Sequence, residues 1–299
     1  MKQKRIKISS GVLWFGLMLV LLAAAVIPVW KTGILSDVGR ENIYWERARY
    51  LLGQRGLSDY NGETLCSLGY SILLLPICAV IQSPYAAFKA ALILNGIFLA
   101  GSYAVSFAVA KKMFPEERKS LLSIICFFVT ACPVLAVERL QTGPESAVML
   151  LTWAAILFVS ELKEHYSARW LILLSMDLIL IGFLQISALG IITGVMVVLG
   201  FMAKKDQIPM TSYLRALLAL LLGLAAGNIA ERIVLYGFAS DMDVTVTSSL
   251  EVLFSQIAAG WTNGYVTGLL ENLAGKLYSL ITVTFLLICG YCVKRVEYC

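Results

Sequence analysis

The chain has 299 residues, of which 59% are hydrophobic and 14% are charged, and its net charge is +5. Soluble domains are about half apolar and about a quarter charged, so this composition excludes an ordinary soluble protein. The basic residues stand in short clusters beside apolar runs, which is typical of membrane topology determinants and not of a nucleic-acid interface. We predict an all-α, polytopic transmembrane bundle that forms a single domain over residues 1–299.

Apolar segments follow one another along the chain and predict its membrane helices. The first segment follows the basic sequence MKQKRIK and is long enough to span a bilayer, whereas the apolar core of a signal peptide has about 7–15 residues. We therefore expect a retained first helix. The predicted segments are 11–30, 68–82, 86–110, 120–137, 146–160, 170–184, 187–203, 212–236 and 275–293.

Residues 170–203 form an almost unbroken apolar stretch. One helix of this length would measure about 51 Å, against a hydrocarbon core of about 30 Å. Lys163 and Arg169 precede the stretch, and Lys204 and Lys205 follow it, so both ends should face the cytoplasm. We predict a hairpin of two short helices that turns near Gln185.

The distribution of basic residues predicts the topology. Basic clusters place both termini and the segments around 111–119, 163–169 and 204–215 on the cytoplasmic side. The external loops are then 31–85, 138–145 and 237–274. This holds only if 68–110 crosses once, so the short segment 68–82, which contains Pro76, is predicted to be an interfacial helix in the outer leaflet. The result is about eight crossings, in the plasma membrane of a bacterium.

The first external loop is densely charged, with five acidic and five basic residues between positions 31 and 67. Its sequence ENIYWERARYLL has a helical pattern, and alternating charges on such a helix are typical of a solvated face. Asp37 lies seven residues beyond Trp30, close to where the first helix leaves the bilayer. A carboxylate at that depth can act as general base on an acceptor hydroxyl.

The order of these features resembles the GT-C superfamily of membrane glycosyltransferases, which use polyprenyl-phosphate sugars. Members show a basic N-terminus, one helix, an outward loop with an acid, a D-E-x-x-Y-x-x-x-A helix and a P-P-G-Y-x-L-L-L-x-P segment. The likeness covers about the first half of the chain and implies a short or truncated member. The matching residues are Glu41, Tyr44, Ala48, Gly69, Tyr70 and Pro76.

Two departures from the family pattern matter. Arg40 stands beside Glu41 where an acidic pair is expected, so position alone makes Asp37 the candidate base. Ser67 and Leu68 replace the paired prolines.

The resemblance implies a catalytic mechanism. Asp37 or Glu41 would deprotonate a hydroxyl of a glycan, lipid or protein acceptor, which attacks the anomeric carbon of the lipid-linked donor. The leaving phosphate needs positive charge, from Arg40, Arg139 or a divalent metal such as Mg²⁺ or Mn²⁺. Glu145 would hold the metal or orient the acceptor. The remaining substrate-binding candidates are Tyr44 and Trp261.

Structural alternatives exist for three of these residues. Glu145 stands at the start of a predicted helix, where an acid is favourable without any ligand. Arg139 follows Glu138 and is equally typical of a membrane interface. Trp261 fits an interfacial aromatic belt as well as a sugar-stacking role.

Asp177 lies in the middle of a predicted membrane helix, where insertion of a charge costs at least about 2.5–3.5 kcal/mol. It should face the bundle and have a partner, for which Asn228 and Arg232 are candidates. Glu231 and Arg232 are adjacent near the outer end of their helix, so we expect one of them to point towards the outer site. Two alternative functions follow: a transporter or flippase that uses Asp177, and a non-catalytic or truncated membrane protein.

Overall fold

The computed structural model of the protein describes residues 10–32, 40–54, 68–137, 143–185 and 188–242. This part of the chain contains only helices and turns, which confirms the all-α class. Its helices are α1 (Ser10–Thr32), α2 (Arg40–Leu51), α3 (Leu68–Val80), α4 (Pro84–Met113), α5 (Lys119–Val137), α6 (Glu145–Glu164), α7 (Ala168–Leu184), α8 (Leu189–Lys204) and α9 (Met210–Met242).

Three of the described helices are long and apolar enough to cross a membrane. They are α4, α6 and the Met210–Val234 part of α9, and shorter apolar helices accompany them, among them α3 and α8. This finding fits the predicted membrane protein. The eight crossings, the outer-leaflet position of α3 and the cytoplasmic termini stay predictions, and segment 275–293 lies outside the described residues.

The predicted hairpin between residues 170 and 203 is present. Helix α7 ends at Leu184, and Gln185 caps it in an extended conformation, with its backbone N–H bonded to the Ile181 carbonyl. Helix α8 begins at Leu189. The two helices are thus short, as the limited thickness of a bilayer requires.

Most helix boundaries differ from the sequence-based ones by a few residues, and two of these differences have a local cause. Helix α4 begins at Pro84, directly after the N-cap Ser83, because a proline without an N–H is well accommodated in the first turn. Helix α9 continues to Met242, into the predicted loop 237–274, because no proline interrupts it there.

Contacts between the helices fix their relative directions. Asn95 meets Gly143, Gly101 meets Leu150 and Lys112 meets Glu161, so α4 and α6 run parallel. Ile179 packs against Gly223, and Phe183 packs against Gly227, so α7 and α9 also run parallel to each other.

Helix α1 packs on α4. Trp14 stacks on Tyr103, and Leu21, farther along α1, belongs to the cluster that contains Leu99 and Tyr103. Helix α5 returns along α4 after a short turn, with Tyr103 hydrogen-bonded to Ser123 at 2.5 Å. These relative directions agree with the alternation that the basic clusters predict.

The buried apolar residues form two main clusters. One contains residues of α1, α4 and α5, around Tyr103 and Cys126. The other joins α2, α3 and α6 to α9, around Leu74, Leu174 and Leu199. In the second cluster, Gly223 and Gly227 of α9 let α7 approach closely, which is a common way of packing membrane helices.

The two ends of the bundle carry different polar groups. At one end, which we call the Arg47 end, helix α2 packs on α3, and the polar groups are Arg47, Tyr70, Asn95, Glu145 and Glu231. At the other, the Lys112 end, they are Lys112, Glu161, Glu164, Tyr166 and Ser212. Of the two predicted catalytic residues, Glu41 belongs to α2, which lies at the Arg47 end, and Asp37 lies outside the described residues.

Candidate functional site

Helix α2 docks one face on the bundle. Tyr44, Arg47 and Ala48 are buried, with 7%, 2% and 0% of their surface exposed, whereas Leu51 is exposed. Residues at this spacing share one side of a helix. The Tyr44 ring meets the edge of the Tyr70 ring of α3, with the ring centroids 5.2 Å apart. The first loop is therefore anchored through an arginine-containing face.

A hydrogen-bonded chain joins α3 to the turn before α6. The Tyr70 hydroxyl donates to Asn95 Oδ1 at 3.0 Å, and both side chains are buried. Asn95 Nδ2 in turn donates to the Gly143 carbonyl at 3.4 Å. Two segments that are far apart in sequence are thereby held together.

Glu145 is the first residue of α6, and its side chain is exposed. Its carboxylate folds back over Gly143 and occupies the space that a side chain at position 143 would need. An anion in the first turn of a helix is stabilised by the helix dipole. The structure therefore shows the favourable helix-start position expected for Glu145 and also leaves its carboxylate accessible.

Arg47 forms an ion pair with Glu231 of α9. Arg47 Nη1 lies 3.7 Å from Glu231 Oε1, and the two side chains are 3% and 7% exposed. Removing two charges from water costs several kcal/mol per ion, so a buried pair of this kind tolerates the loss of neither partner. The pair ties α2 to α9, eleven residues before the end of α9 at Met242.

Glu231 also lines a groove between α7 and α9. Its other walls include Phe183, Gly227 and Asn228. The groove is mostly apolar along the helices and polar where Asn228 and Glu231 lie.

The predicted catalytic and substrate-binding residues are distributed as follows. Tyr44 and Glu145 both lie at the Arg47 end, Tyr44 buried and Glu145 exposed. The backbones of Arg40 and Glu41 form the start of α2. Three further residues, Asp37, Arg139 and Trp261, lie outside the described ranges.

A metal site is not formed by the described residues, which include no group of three or more His, Cys, Asp or Glu side chains close enough to hold an ion. Of the acids that the mechanism assigns, only the Glu145 side chain is described. A single carboxylate does not make a Mg²⁺ or Mn²⁺ site, so the metal stays a prediction that needs ligands from the first loop.

Sequence reasoning did not assign a role to Arg47 or Asn95. A signal was present for both. Asn95 is a lone amide in the apolar run ALILNGIFLAG, and Arg47 shares a helix face with Tyr44 and Ala48. Gly143 was missed because its contribution is a backbone carbonyl, which the residue type does not show.

Asp177 faces the bundle, as predicted, but its proposed partners are wrong. The packing of Ile179 on Gly223 places Asp177 at the level of Leu221. Arg232 lies eleven residues farther along α9, about 16 Å away at about 1.5 Å per residue. Asn228 is likewise about two turns beyond Leu221, so neither side chain is at the level of Asp177.

Comparison of the whole chain with protein-family models, with curated proteins and with solved structures gave no match.

Proposed function

We propose that the protein is a membrane glycosyltransferase that moves a hexosyl or pentosyl group from a polyprenyl-phosphate donor to an acceptor. The acceptor is a hydroxyl of a glycan, lipid or protein on the outer face of a bacterial plasma membrane. One observation supports the proposal: a chain of contacts through Tyr70 and Asn95 links helix α2 of the first loop to the turn before α6. Tyr44 contacts Tyr70, Tyr70 bonds Asn95, and Asn95 bonds Gly143.

This link matters because the reaction needs groups from both segments. The general base is assigned to Asp37 or Glu41, which precede the docked face of α2, and the acceptor-orienting acid is Glu145. An anchored α2 and an exposed Glu145 support the proposal that these groups share one end of the bundle. Positioning of reactants contributes much of an enzyme's rate enhancement. Loops at opposite ends would have been incompatible with this chemistry.

We assign the role of balancing the charge of the leaving phosphate to Arg40 or Arg139. Arg47 is a poor choice for that role because Glu231 already balances its charge in a buried pair. Arg47 instead holds α2, and so keeps the start of that helix at the end of the bundle. In this arrangement Glu145, with a divalent cation or alone, faces the acceptor.

Cysteine-accessibility mapping in intact cells tests the arrangement. Single cysteines are placed at positions 37, 80, 115 and 145 in a cysteine-free background and treated with a membrane-impermeant reagent. We expect positions 37 and 145 to react from outside and position 115 to remain protected. Reaction at 115 without reaction at 145 would invert the topology and rule out an external active site.

Activity is tested with Asp37→Asn in membranes supplied with a polyprenyl-phosphate sugar. We expect the variant to lose sugar transfer by a factor of about 100 or more, since general bases typically contribute about 100- to 10,000-fold. Asp59→Asn, in the same loop, is the matched control and should retain transfer. Equal activity of both variants would refute the role of Asp37.

A transporter or flippase that uses Asp177 is the second candidate, favoured by the burial of this acid midway along α7. Loss of function in Asp177→Asn with full function in Asp37→Asn would select it. A non-catalytic membrane protein would show normal growth and no sugar transfer with either substitution.

A further inference from the structure

Asp177 is an acid in the middle of a packed helix. It lies about halfway along α7 and is 5% exposed. Its neighbours on the same face are Leu174, Leu178 and Ile181, which are 0%, 1% and 0% exposed. An ionised carboxylate in such surroundings is very costly unless a cation or several hydrogen-bond donors surround it.

The described helices that pack on α7 bring no charged side chain to the level of Asp177. Helices α3, α6, α8 and α9 contact α7. Their described titratable side chains are Tyr70 and Cys78 of α3, Glu145, Glu161, Lys163 and Glu164 of α6, Lys204 of α8, and Tyr213, Arg215, Glu231 and Arg232 of α9. The nearest one on α9, Arg215, is six residues from Leu221, about 9 Å along the helix.

Hydrogen-bond donors are missing as well. Asp177 Oδ2 has no hydrogen-bond partner within the described ranges. Helix carbonyl oxygens in this bundle do accept hydrogen bonds from side chains, since Ser175 donates to the Leu171 carbonyl at 2.9 Å and Thr152 donates to the Val148 carbonyl at 2.7 Å. A carboxylate only accepts hydrogen bonds, whereas a neutral carboxylic acid has an O–H that can donate to such a carbonyl.

We propose that Asp177 is a proton-binding site: its carboxyl group holds a proton in the folded protein. Release of this proton would leave an uncompensated anion between α7 and its neighbours. Proton occupancy and the packing of α7 are therefore coupled. The proposal is independent of the glycosyltransferase function.

Infrared spectroscopy tests the proposal directly. The carbonyl stretch of a protonated carboxylic acid is recorded at neutral pH for the full-length protein in lipid nanodiscs and for Asp177→Asn. We expect a band in the wild-type protein that is missing from Asp177→Asn. Asp206→Asn is the matched control, because Asp206 is exposed in the turn between α8 and α9, and it should keep the band.

Thermal unfolding gives a second readout. The folded chain holds a proton that the unfolded chain releases, so raising the pH from mildly acidic to mildly alkaline should lower the Tm of the wild type. The Tm of Asp177→Asn should not show this fall with rising pH, and it should match the Tm of the wild type at low pH. Absence of the infrared band, together with a Tm loss in Asp177→Asn at every pH, would overturn the proposal.

Discussion

The two ends of the bundle hold their charges in opposite ways. At the Arg47 end, Arg47 and Glu231 are 3.7 Å apart and their side chains are 3% and 7% exposed. At the Lys112 end, Lys112 Nζ lies 2.6 Å from Glu161 and 2.9 Å from Glu164, and these side chains are 20%, 28% and 51% exposed. The shorter contacts are thus the more hydrated ones.

Burial, and not distance, decides what each cluster contributes. Exposed ion pairs contribute about 0–1 kcal/mol because water solvates the separated charges nearly as well. Loss of one partner of a buried pair leaves a charge without compensation and costs about 3–5 kcal/mol. The buried charges at the Arg47 end therefore stabilise each other, whereas a substitution in the ion pairs at the Lys112 end should cost little stability.

The largest expected effect is at the buried pair. Glu231→Gln or Arg47→Met should each lower the free energy of unfolding by about 3–5 kcal/mol, because the remaining charge stays buried. The double variant Arg47→Met/Glu231→Gln should recover most of this loss. Thermal or denaturant unfolding in detergent measures all three.

Arg49→Met is the control for the buried pair, since Arg49 lies on the same helix and is only partly buried. Its effect should stay below about 1 kcal/mol. A double variant as unstable as the sum of the single ones would contradict the coupling between Arg47 and Glu231.

The next effect concerns the contact of α3 with α7 at the Arg47 end. A methyl group on Gly69 would fall on the Phe183 carbonyl and lie 2.9 Å from Leu184 Cα. Backbone atoms cannot move aside as a side chain can, so Gly69→Ala should cost about 1–3 kcal/mol. Gly190→Ala is the control, because nothing lies within 4 Å of the added carbon. Equal Tm values for both variants would show that α3 does not pack here.

A smaller effect is expected for the hydrogen-bonded chain. Tyr70→Phe removes the donor to Asn95 but leaves the bond from Asn95 to Gly143. The loss should be about 0.5–1.5 kcal/mol, measured by chemical denaturation. Tyr85→Phe, on the exposed start of α4, serves as the comparison and should be neutral.

The smallest effect is expected at the Lys112 end. Lys112→Ala breaks both contacts of this cluster and should cost about 1 kcal/mol or less. The difference between variant and wild type should shrink further in high salt, because exposed charges are screened. A loss as large as that of Glu231→Gln would erase the distinction between the two ends.

Residue periodicity and charge predicted much of the fold. The apolar segments between positions 11 and 236 correspond to helices in the structure, and the break near Gln185 followed from the limited length of a membrane helix. These properties depend on residues close together in sequence, so they can be predicted from one sequence alone. The helical pattern of residues 41–52 likewise predicted α2.

Which residues contact each other within the site was harder to predict from the sequence. Arg47 and Glu231 are 184 positions apart, and nothing in either local sequence identifies the other. Asp177 was correctly predicted to face the bundle, because a charge in lipid is costly, but its partners were assigned wrongly. The level at which α7 meets α9 depends on the close fit of Gly223 and Gly227 against Ile179 and Phe183, which composition does not encode.

The sequence by itself determined that this is an all-helical, strongly apolar chain with a charged first loop, because hydropathy and helix periodicity are local properties. Only the tertiary structure decided which polar groups meet: Tyr70 with Asn95 and Gly143, and Arg47 with Glu231. It also left Asp177 away from every charge of the described helices. The reason is physical: the relative register of helices is set by side-chain packing between them, and packing is known only once every neighbour is in place.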